Sequence, residues 1–514
     1  MRNSIKVSLW FLQTNLYKRT AMNLSKSRFI KGMQCQKLLW LLTHKKEALS
    51  EPDEAQIERF SVGEDVGVLA CELFPNGERI SFDDGISHNA KRTKELLDSG
   101  TSVIYEATFI YEGIVVMVDI LQNTPQGLII NEVKSSTSLK EVYIYDLSVQ
   151  YYVITHCGYS IKEANLIHLN MSYKRGESLD LTRLFVKVPC LESVQEFTPK
   201  IPAILQEFAN TLEGQDEPSI DIGAHCDDPY PCEAKSYCWE VQRNIKGEDS
   251  IFNLAWLNGD KKLELYRQGI ARFSDIKDID SLNYKQQLQI ECFQQKSVHI
   301  QKDKIKEFLG GLSYPIYHLD FETFQLAVPR FVSTCAYEQI PFQFSLHIQH
   351  KDGKLEHKEF LAKSGIDPRV ELIQTLLDSI PQNAFILAYN ASFEKGVITR
   401  LAASFPQYEK DLLHIASQIE DLMYPFAARH YYHYKQNGSH SIKVVLPALV
   451  PQMESAYKEL NLVHNGGEAM ECFGALESMP KEKQIEYRKA LLAYCKLDTL
   501  AMVEIIKALE KLVN

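Results

Sequence analysis

The chain has 514 residues, 45% of them apolar and 24% charged, which is too long for one core and ordinary in composition for a globular protein of two or three domains. A formal charge of -11 excludes a protein that coats nucleic acid by bulk attraction, and no apolar run approaches the roughly 20 residues that span a bilayer. The opening MRNSIKVSLWFLQTNLYKR is too short and too polar at its centre for a secretory signal, so a cytoplasmic protein is expected, with its eleven cysteines mostly reduced.

Residues 1–21 read as an upstream extension, because the amphipathic pattern MNLSKSRFIKGMQCQKLLWLL begins cleanly at Met22. A first domain is expected over 22–245. Its early helix, QCQKLLWL, carries Cys35, and SVGEDVG follows with Glu64. The two β-rich runs GIVVMVDILQ and LIINEVKSS, joined by the turn-prone NTPQG, predict a hairpin. Counting back from that five-residue loop sets Asp119 almost opposite Glu132, with Lys134 on the face of Glu132. An acid facing an E-x-K pair offers two carboxylates for a metal and an ammonium to orient water or stabilise charge. A surface ion pair is the alternative. The helix DLSVQYYVI bears Gln150, and the stretch HCDDPYPCEAKSYCW places Cys226, Cys232 and Cys238 at C-x5-C-x5-C. Thiolates so clustered suit an iron–sulfur group or zinc.

One distant cysteine before a D…E-x-K core and three clustered after it resembles the RecB-like PD-(D/E)xK nucleases that carry a 4Fe–4S staple. The resemblance implies a restriction-endonuclease-like α/β domain in which Asp119 and Glu132 hold a metal and Lys134 and Gln150 are catalytic. It also implies that Cys35, Cys226, Cys232 and Cys238 hold the cluster. Three departures stand: the first cysteine pair is looser, which leaves zinc open; Ile154 replaces a tyrosine; and the glycine-led motif has Glu64, an acid able to join the metal shell, and no histidine.

Residues 246–310 predict a helical linker. Within it LELYRQGIARFSDIKDI reads as two short helices around a glycine turn, either a helix-hairpin-helix element or a plain linker bundle. Local basic patches occur at Lys91-Arg92-Lys94 and Lys302-Lys304-Lys306.

A strand signal at Tyr314 opens a C-terminal domain, 311–514. HLDFETF projects Asp320 and Glu322 from one strand face, and two carboxylates in a half-dry site repel unless one protonates or a cation joins them. An acidic face at a sheet edge is the alternative. FILAYNASFEKGVITRLA is a strand running into a helix, with Asn390, Phe393 and Glu394 at the junction, and LLAYCKLDTLAM sets Tyr494 and Asp498 on one helix face. Between them, DLMYPFAARHYYHYKQNGSHSIK is aromatic and basic, suited to a groove where nucleotides stack or to a packed core; its Asp421 is a further ligand or a surface acid.

The three ordered motifs resemble the DEDD family of 3'-to-5' exonucleases on the ribonuclease H-like fold. The resemblance implies that Asp320, Glu322, Glu394 and Asp498 hold paired metals and that the Tyr494 hydroxyl positions the attacking water. Glu394 departs from the family's usual Asp by one methylene. Hard oxygen ligands select Mg2+ or Mn2+. As a whole, the chain resembles a bacterial family that fuses a RecB-like nuclease domain to a DEDD-type domain. That implies a metal-dependent nuclease acting on single-stranded ends of DNA or RNA, with no membrane partner. The alternative is a nucleic-acid-binding scaffold in which one or both nuclease folds are inactive.

Overall fold

A computed structural model describes residues 24–81 and 84–514; the expected extension over 1–21 and the start at Met22 lie outside the described residues. The chain is mixed α/β and divides into two compact units, one of residues up to Ile245 with Ala327–Ala336, the other of Lys246–Leu326 with Tyr337–Asn514. Residues 246–310 therefore group with the second unit instead of standing apart as a linker. Their glycine turn is present at Gly269, but the helix before it, Gly259–Arg267, is answered only by a single 3-10 turn, Phe273–Asp275. Among the described residues no helix is long and apolar enough to cross a membrane.

The first unit is built on one sheet of β1 (Leu24–Ser25), β2 (Glu78–Arg79), β3 (Val103–Tyr111), β4 (Ile114–Thr124), β5 (Gly127–Lys134), β6 (Ile161–Leu169) and β7 (Phe185–Pro189). Strands β2 to β7 lie side by side in chain order, and β1 pairs with β4 off that path. Along β4, Ile114, Val116, Val118 and Ile120 are fully buried, which turns Asp119 to the opposite face. The β4–β5 ladder closes at Thr124–Gly127, so the expected five-residue loop tightens to Pro125 and Gln126, with Gly127 at φ +125°. The register is unchanged by this tightening. Because β5 and β6 are parallel, a crossover must join them. Six helices belong to this unit's argument: α1 (Lys26–Gln34), α2 (Gln36–His44), α3 (Glu54–Cys71), α4 (Ile86–Asp98), the crossover α5 (Glu141–His156) and α6 (Ile201–Glu213). The inner side of α5, with Val142, Leu147, Val149, Tyr152 and Val153, packs into the same core as Val116, Val118 and Ile130 of the sheet.

In the second unit β9 (Ile316–Phe324), β10 (Ile340–Gln349), β11 (Leu355–Leu361), β12 (Phe385–Ala388) and β13 (Ile419–Asp421) form a sheet in the order β11-β10-β9-β12-β13. The first three are antiparallel; β12 and β13 run parallel to β9. A separate pair joins β8 (Val298–Ile300) to β14 (Tyr431–His433), so Tyr431 and Tyr432 are core residues. Helices α7 (Ser392–Ser404), α8 (Ile442–Leu449) and α9 (Lys481–Val513) flank the large sheet. Polar bonds fix α9 against β10: Gln343 Nε2 donates to the Leu491 carbonyl at 2.8 Å, and Thr499 Oγ1 lies 2.7 Å from both Ser345 Oγ and His347 Nδ1. A buried polar contact allows one register only, since a slip leaves each partner unsatisfied.

Candidate active sites

Strands β4 and β5 part after the Ile120–Asn131 pair. The start of β4 pairs instead with β1 at Ile114 and Val115, while β5 runs on beside β6 to Lys134. Asp119 and Glu132 stand at the fork, where the Asp119 carboxylate takes the place of a ladder carbonyl and accepts the Val133 N–H at 2.7 Å. Glu132 is buried, and α5 presents Asp146 and Gln150 to it, one turn apart. Lys134 Nζ donates to Glu132 Oε1 and Asp146 Oδ2, both at 2.7 Å, and Gln150 Nε2 donates to Glu132 Oε2 at 2.8 Å. Asp119, Glu132, Lys134 and Gln150 are thus brought together.

Sequence reading missed three neighbours. Lys26, at the start of α1, donates to Glu132 Oε1 at 2.8 Å. Asp146 was legible as the i−4 neighbour of Gln150. Glu106 lies in β3 between the residues paired with Ile120 and Val118, hence opposite Asp119, and has φ +60°; such a backbone costs a non-glycine residue on the order of 1 kcal/mol and is retained chiefly at functional sites. Glu64 and Glu106 line one cleft of about 780 Å³ with Lys26, Arg79, Asp119, Glu132 and Lys134. Burial, then the Glu132 charge, pushes Asp119 up to about 7. Burial also opposes ionisation of Glu132, but Lys134 and Lys26 outweigh it and hold that carboxyl below the usual range. Both lysines stay protonated against burial because Asp146 and Glu132 face them.

Cys35 does not lie inside a helix as expected. It stands between α1 and α2 in extended backbone, as the residue that precedes the first turn of α2, with no hydrogen bond from its side chain to that turn. Cys226, Cys232 and Cys238 come from the irregular segment after α6; the Cys232 N–H bonds to the Cys226 carbonyl and the Cys238 N–H to that of Ala234, each at 2.9 Å. All four cysteines line one cavity with Lys37 and His225. Burial pushes Cys232 up to about 12 and raises Cys35 and Cys238, whereas the Lys37 ammonium pulls the last two down. No three of these sulfurs are grouped within 4.8 Å of one another, while a tetrahedral zinc with bonds of about 2.3 Å holds its sulfurs about 3.8 Å apart.

In the second unit Asp320 and Glu322 sit on the central strand β9, Glu394 on the first turn of α7, and Asp498 in α9. All but Asp320 are buried, and Asp320 is half-buried. Burial first, then the other acids, raises Asp320, Glu322 and Glu394 well above the usual carboxylate range. Asp498 is raised only to about 6, because hydrogen bonds from Tyr457 and Tyr494 and the charge of Lys443 oppose its burial. Glu394 Oε2 is buried without a hydrogen-bond partner. The expected residues Asp320, Glu322, Glu394, Asp498 and Tyr494 therefore act on one another electrostatically. Asp421 has a structural role: its Oδ1 accepts the N–H of Asn390 at 3.1 Å and of Met423 at 2.8 Å, and so holds the left-handed Asn390 (φ +70°) that turns β12 into α7.

Three residues here were not foreseen. The Tyr457 hydroxyl donates to Asp498 Oδ1 at 2.6 Å. Lys443, in α8, holds its Nζ 4.9 Å from the centre of the Tyr494 ring. Cys495 is fully buried, with Sγ 3.4 Å from Asp320 Oδ2. A C at i−3 from Asp498 was readable as sharing its helix face; Lys443 closes the basic stretch ending GSHSIK, which named no partner for it, and Tyr457 lies in a segment with no motif.

The profile of a domain of unknown function (DUF2779) matches residues 317–441. The match takes in Asp320, Glu322, Asn390, Glu394 and Asp421 and ends before Lys443, Tyr457, Tyr494 and Asp498. No curated relative matches the chain.

Proposed function

We propose that the protein is a metal-dependent nuclease that hydrolyses phosphodiester bonds of DNA or RNA, with a DEDD-type 3'-to-5' exonuclease site in the second unit and a RecB-like site in the first. The observation that carries this reading is the convergence of Asp320, Glu322, Glu394 and Asp498 from three separate elements, mutually repelling and with one buried carboxylate oxygen left unpaired. Buried like charges are costly unless a cation neutralises them. The donor set is all oxygen apart from one thiol, so Mg2+ or Mn2+ fits it. The order β11-β10-β9-β12-β13 with the D-x-E on its central strand, and the succession α4-β3-β4-β5-α5-β6 with the acids at the β4–β5 fork, agree with the ribonuclease H-like and PD-(D/E)xK readings.

Paired divalent ions would supply an activated water and neutralise charge on the leaving oxygen. The chain's own residues do the rest. Tyr457 hydrogen-bonds Asp498 and fixes its rotamer, Tyr494 offers its hydroxyl to the incoming water, and Lys443 offers an ammonium to the phosphate. In the first unit Lys134, tied to Glu132 and Asp146, is the group that orients water. The four cysteines, which line one cavity with Lys37, would hold a 4Fe–4S cluster, with zinc as the alternative.

A second reading, in which the first unit binds nucleic acid without cutting it, is favoured by one observation: both oxygens of Glu132 are already engaged by Lys26, Lys134 and Gln150. The decisive experiment uses the full chain on labelled single-stranded DNA and RNA blocked at one end, with Mg2+ or Mn2+ against chelator. Metal-dependent shortening from the 3' end, lost in Asp320→Asn, is expected. Asp320→Asn as active as the wild type would sink the exonuclease assignment. Products that survive Asp320→Asn but vanish in Lys134→Met would make the first unit an active nuclease; their absence would make it a binding module.

A further inference from the structure

We propose that Cys495 is a metal ligand of the carboxylate site in the second unit, and that it makes this site a trap for thiophilic divalent ions such as Zn2+, Cd2+ or Co2+. The inference rests on the reading of that site as a metal centre and adds to it the class of cation that binds most tightly. Among the described residues, Asp320, Glu322 and Cys495 are the group of three whose ligand atoms all lie within 4.8 Å of one another. The sulfur is 3.4 Å from Asp320 Oδ2, and the side chain is fully buried on the helix face that also presents Asp498, three residues on. A second observation points to a missing cation. Glu394, 2% exposed, keeps Oε2 without a partner while it feels the charge of Asp320 and itself acts on Glu322.

Oxygen ligands alone bind Mg2+ and Mn2+, which take little from sulfur; a thiolate adds a bond that Zn2+, Cd2+ and Co2+ accept readily. As that bond forms, the Cys495 thiol loses its proton to solvent, so one S–H bond breaks for one sulfur–metal bond made, with no change of oxidation state. The same site then holds the hard ions through oxygen and exchanges them for a soft ion at much lower concentration. Zinc becomes a competitor of the working metal.

The test is metal binding to the full chain, free of substrate, comparing wild type with Cys495→Ser, Cys495→Ala and Asp320→Asn, each shown to be folded by its circular dichroism. Sulfur-to-cobalt charge-transfer absorption on adding Co2+ and the affinity for Cd2+ report the thiolate; Mn2+ electron paramagnetic resonance reports the oxygen ligands. Differences against the wild type cancel any metal taken by the other cysteines. The expected result is loss of a charge-transfer contribution and about 100-fold weaker Cd2+ binding in both Cys495 variants, with Mn2+ affinity nearly kept, whereas Asp320→Asn loses all three. If Cys495→Ser and Cys495→Ala match the wild type for Co2+ and Cd2+ while Asp320→Asn still loses Mn2+, the thiol is no ligand and the carboxylate site stands. If Asp320→Asn binds Mn2+ and Cd2+ like the wild type, both readings fall.

Discussion

Glu132 keeps its charge inside the first unit because two ammonium groups and an amide converge on its two oxygens, and Lys134 contributes to that at two places at once. Replacing it by Met leaves Asp146 Oδ2 without its ammonium and Glu132 with Lys26 and Gln150. Hydrogen bonds to buried charged groups are worth about 1.5–3 kcal/mol each, and Lys26 recovers part of the loss, so Lys134→Met is expected to cost about 2 kcal/mol by urea unfolding. A stability unchanged within about 0.5 kcal/mol would mean that the bonds in this cleft are replaced freely by water. Asp498 poses the reverse problem, since hydroxyl donors help to keep it ionisable. The Tyr457 bond lowers its pKa from what burial alone would impose. Tyr457→Phe therefore raises Asp498 above about 6, and Mn2+ binding, which needs the carboxylate, should move to higher pH. A binding curve against pH that does not move, or that moves to lower pH, contradicts the role given to Tyr457.

The elements deliver these side chains through features that a sequence displays unevenly. D-x-E on a strand and Y-x-x-x-D on a helix are local periodicities, and the β4–β5 hairpin fixed the facing of Asp119 and Glu132 even though its loop proved shorter than expected. Lys26, Glu106 and Tyr457 carry no such signal, because nothing in their own neighbourhoods tells which distant element will cover them, and Lys443 shows only as one basic residue at the end of an aromatic stretch. Cys35 was misplaced for a related reason: MQCQKLLW keeps an unbroken helical pattern, with no Gly or Pro to announce the one-residue break between α1 and α2. Serine caps helices well, so Cys35→Ser keeps the break and removes only the thiolate. In protein purified without oxygen, it should bleach the brown colour expected of the cluster and lower thermal stability, since metal binding in such a staple is folding free energy. A colourless wild type with stoichiometric zinc would replace iron–sulfur by zinc. Helix α1, which carries Lys26 at its start and leads into Cys35, is itself held by a close approach: a Cβ at Gly32 would lie 2.7 Å from the Phe208 ring of α6, which is fully buried and has no room to swing. Overpacking costs about 1–3 kcal/mol and helix propensity returns roughly 0.5–1 kcal/mol for Gly to Ala, so Gly32→Ala should destabilise the first unit by about 1 kcal/mol. A neutral or stabilising result by calorimetry would mean that α1 and α6 part easily.

For the whole molecule, the common feature of the two units is that each folds around acids that folding makes harder to ionise, so pH and metal act on stability together. In the second unit Asp498 is raised to about 6, and Asp320, Glu322 and Glu394 stand well above their ordinary values. A carboxyl whose folded pKa exceeds its unfolded one contributes stability in full below the unfolded value, near 4, and loses it as pH rises through the folded value. Asp119 works in the same sense in the first unit, up to about 7. Glu132 works in the opposite sense, for its folded pKa is depressed; its contribution is present above its unfolded value and is lost only in stronger acid. Between about pH 5 and pH 8 the raised group therefore dominates. In chelator, the melting temperature of the second unit is expected to fall steadily across that range. Saturating Mg2+ should restore it and flatten the slope, because a cation stabilises the ionised acids that metal-free protein can relieve only by protonation. Asp320→Asn removes one of the repelling charges, so its transition in chelator should lie above the wild type's at pH 8, converge with it near pH 5, and respond less to Mg2+. Scanning calorimetry of the two proteins at several pH values, with and without metal, measures all of this. A wild-type transition in chelator that is flat or rises over this range would mean that these four carboxyl groups are solvated and unstrained, and the case for a cation among them would go with it.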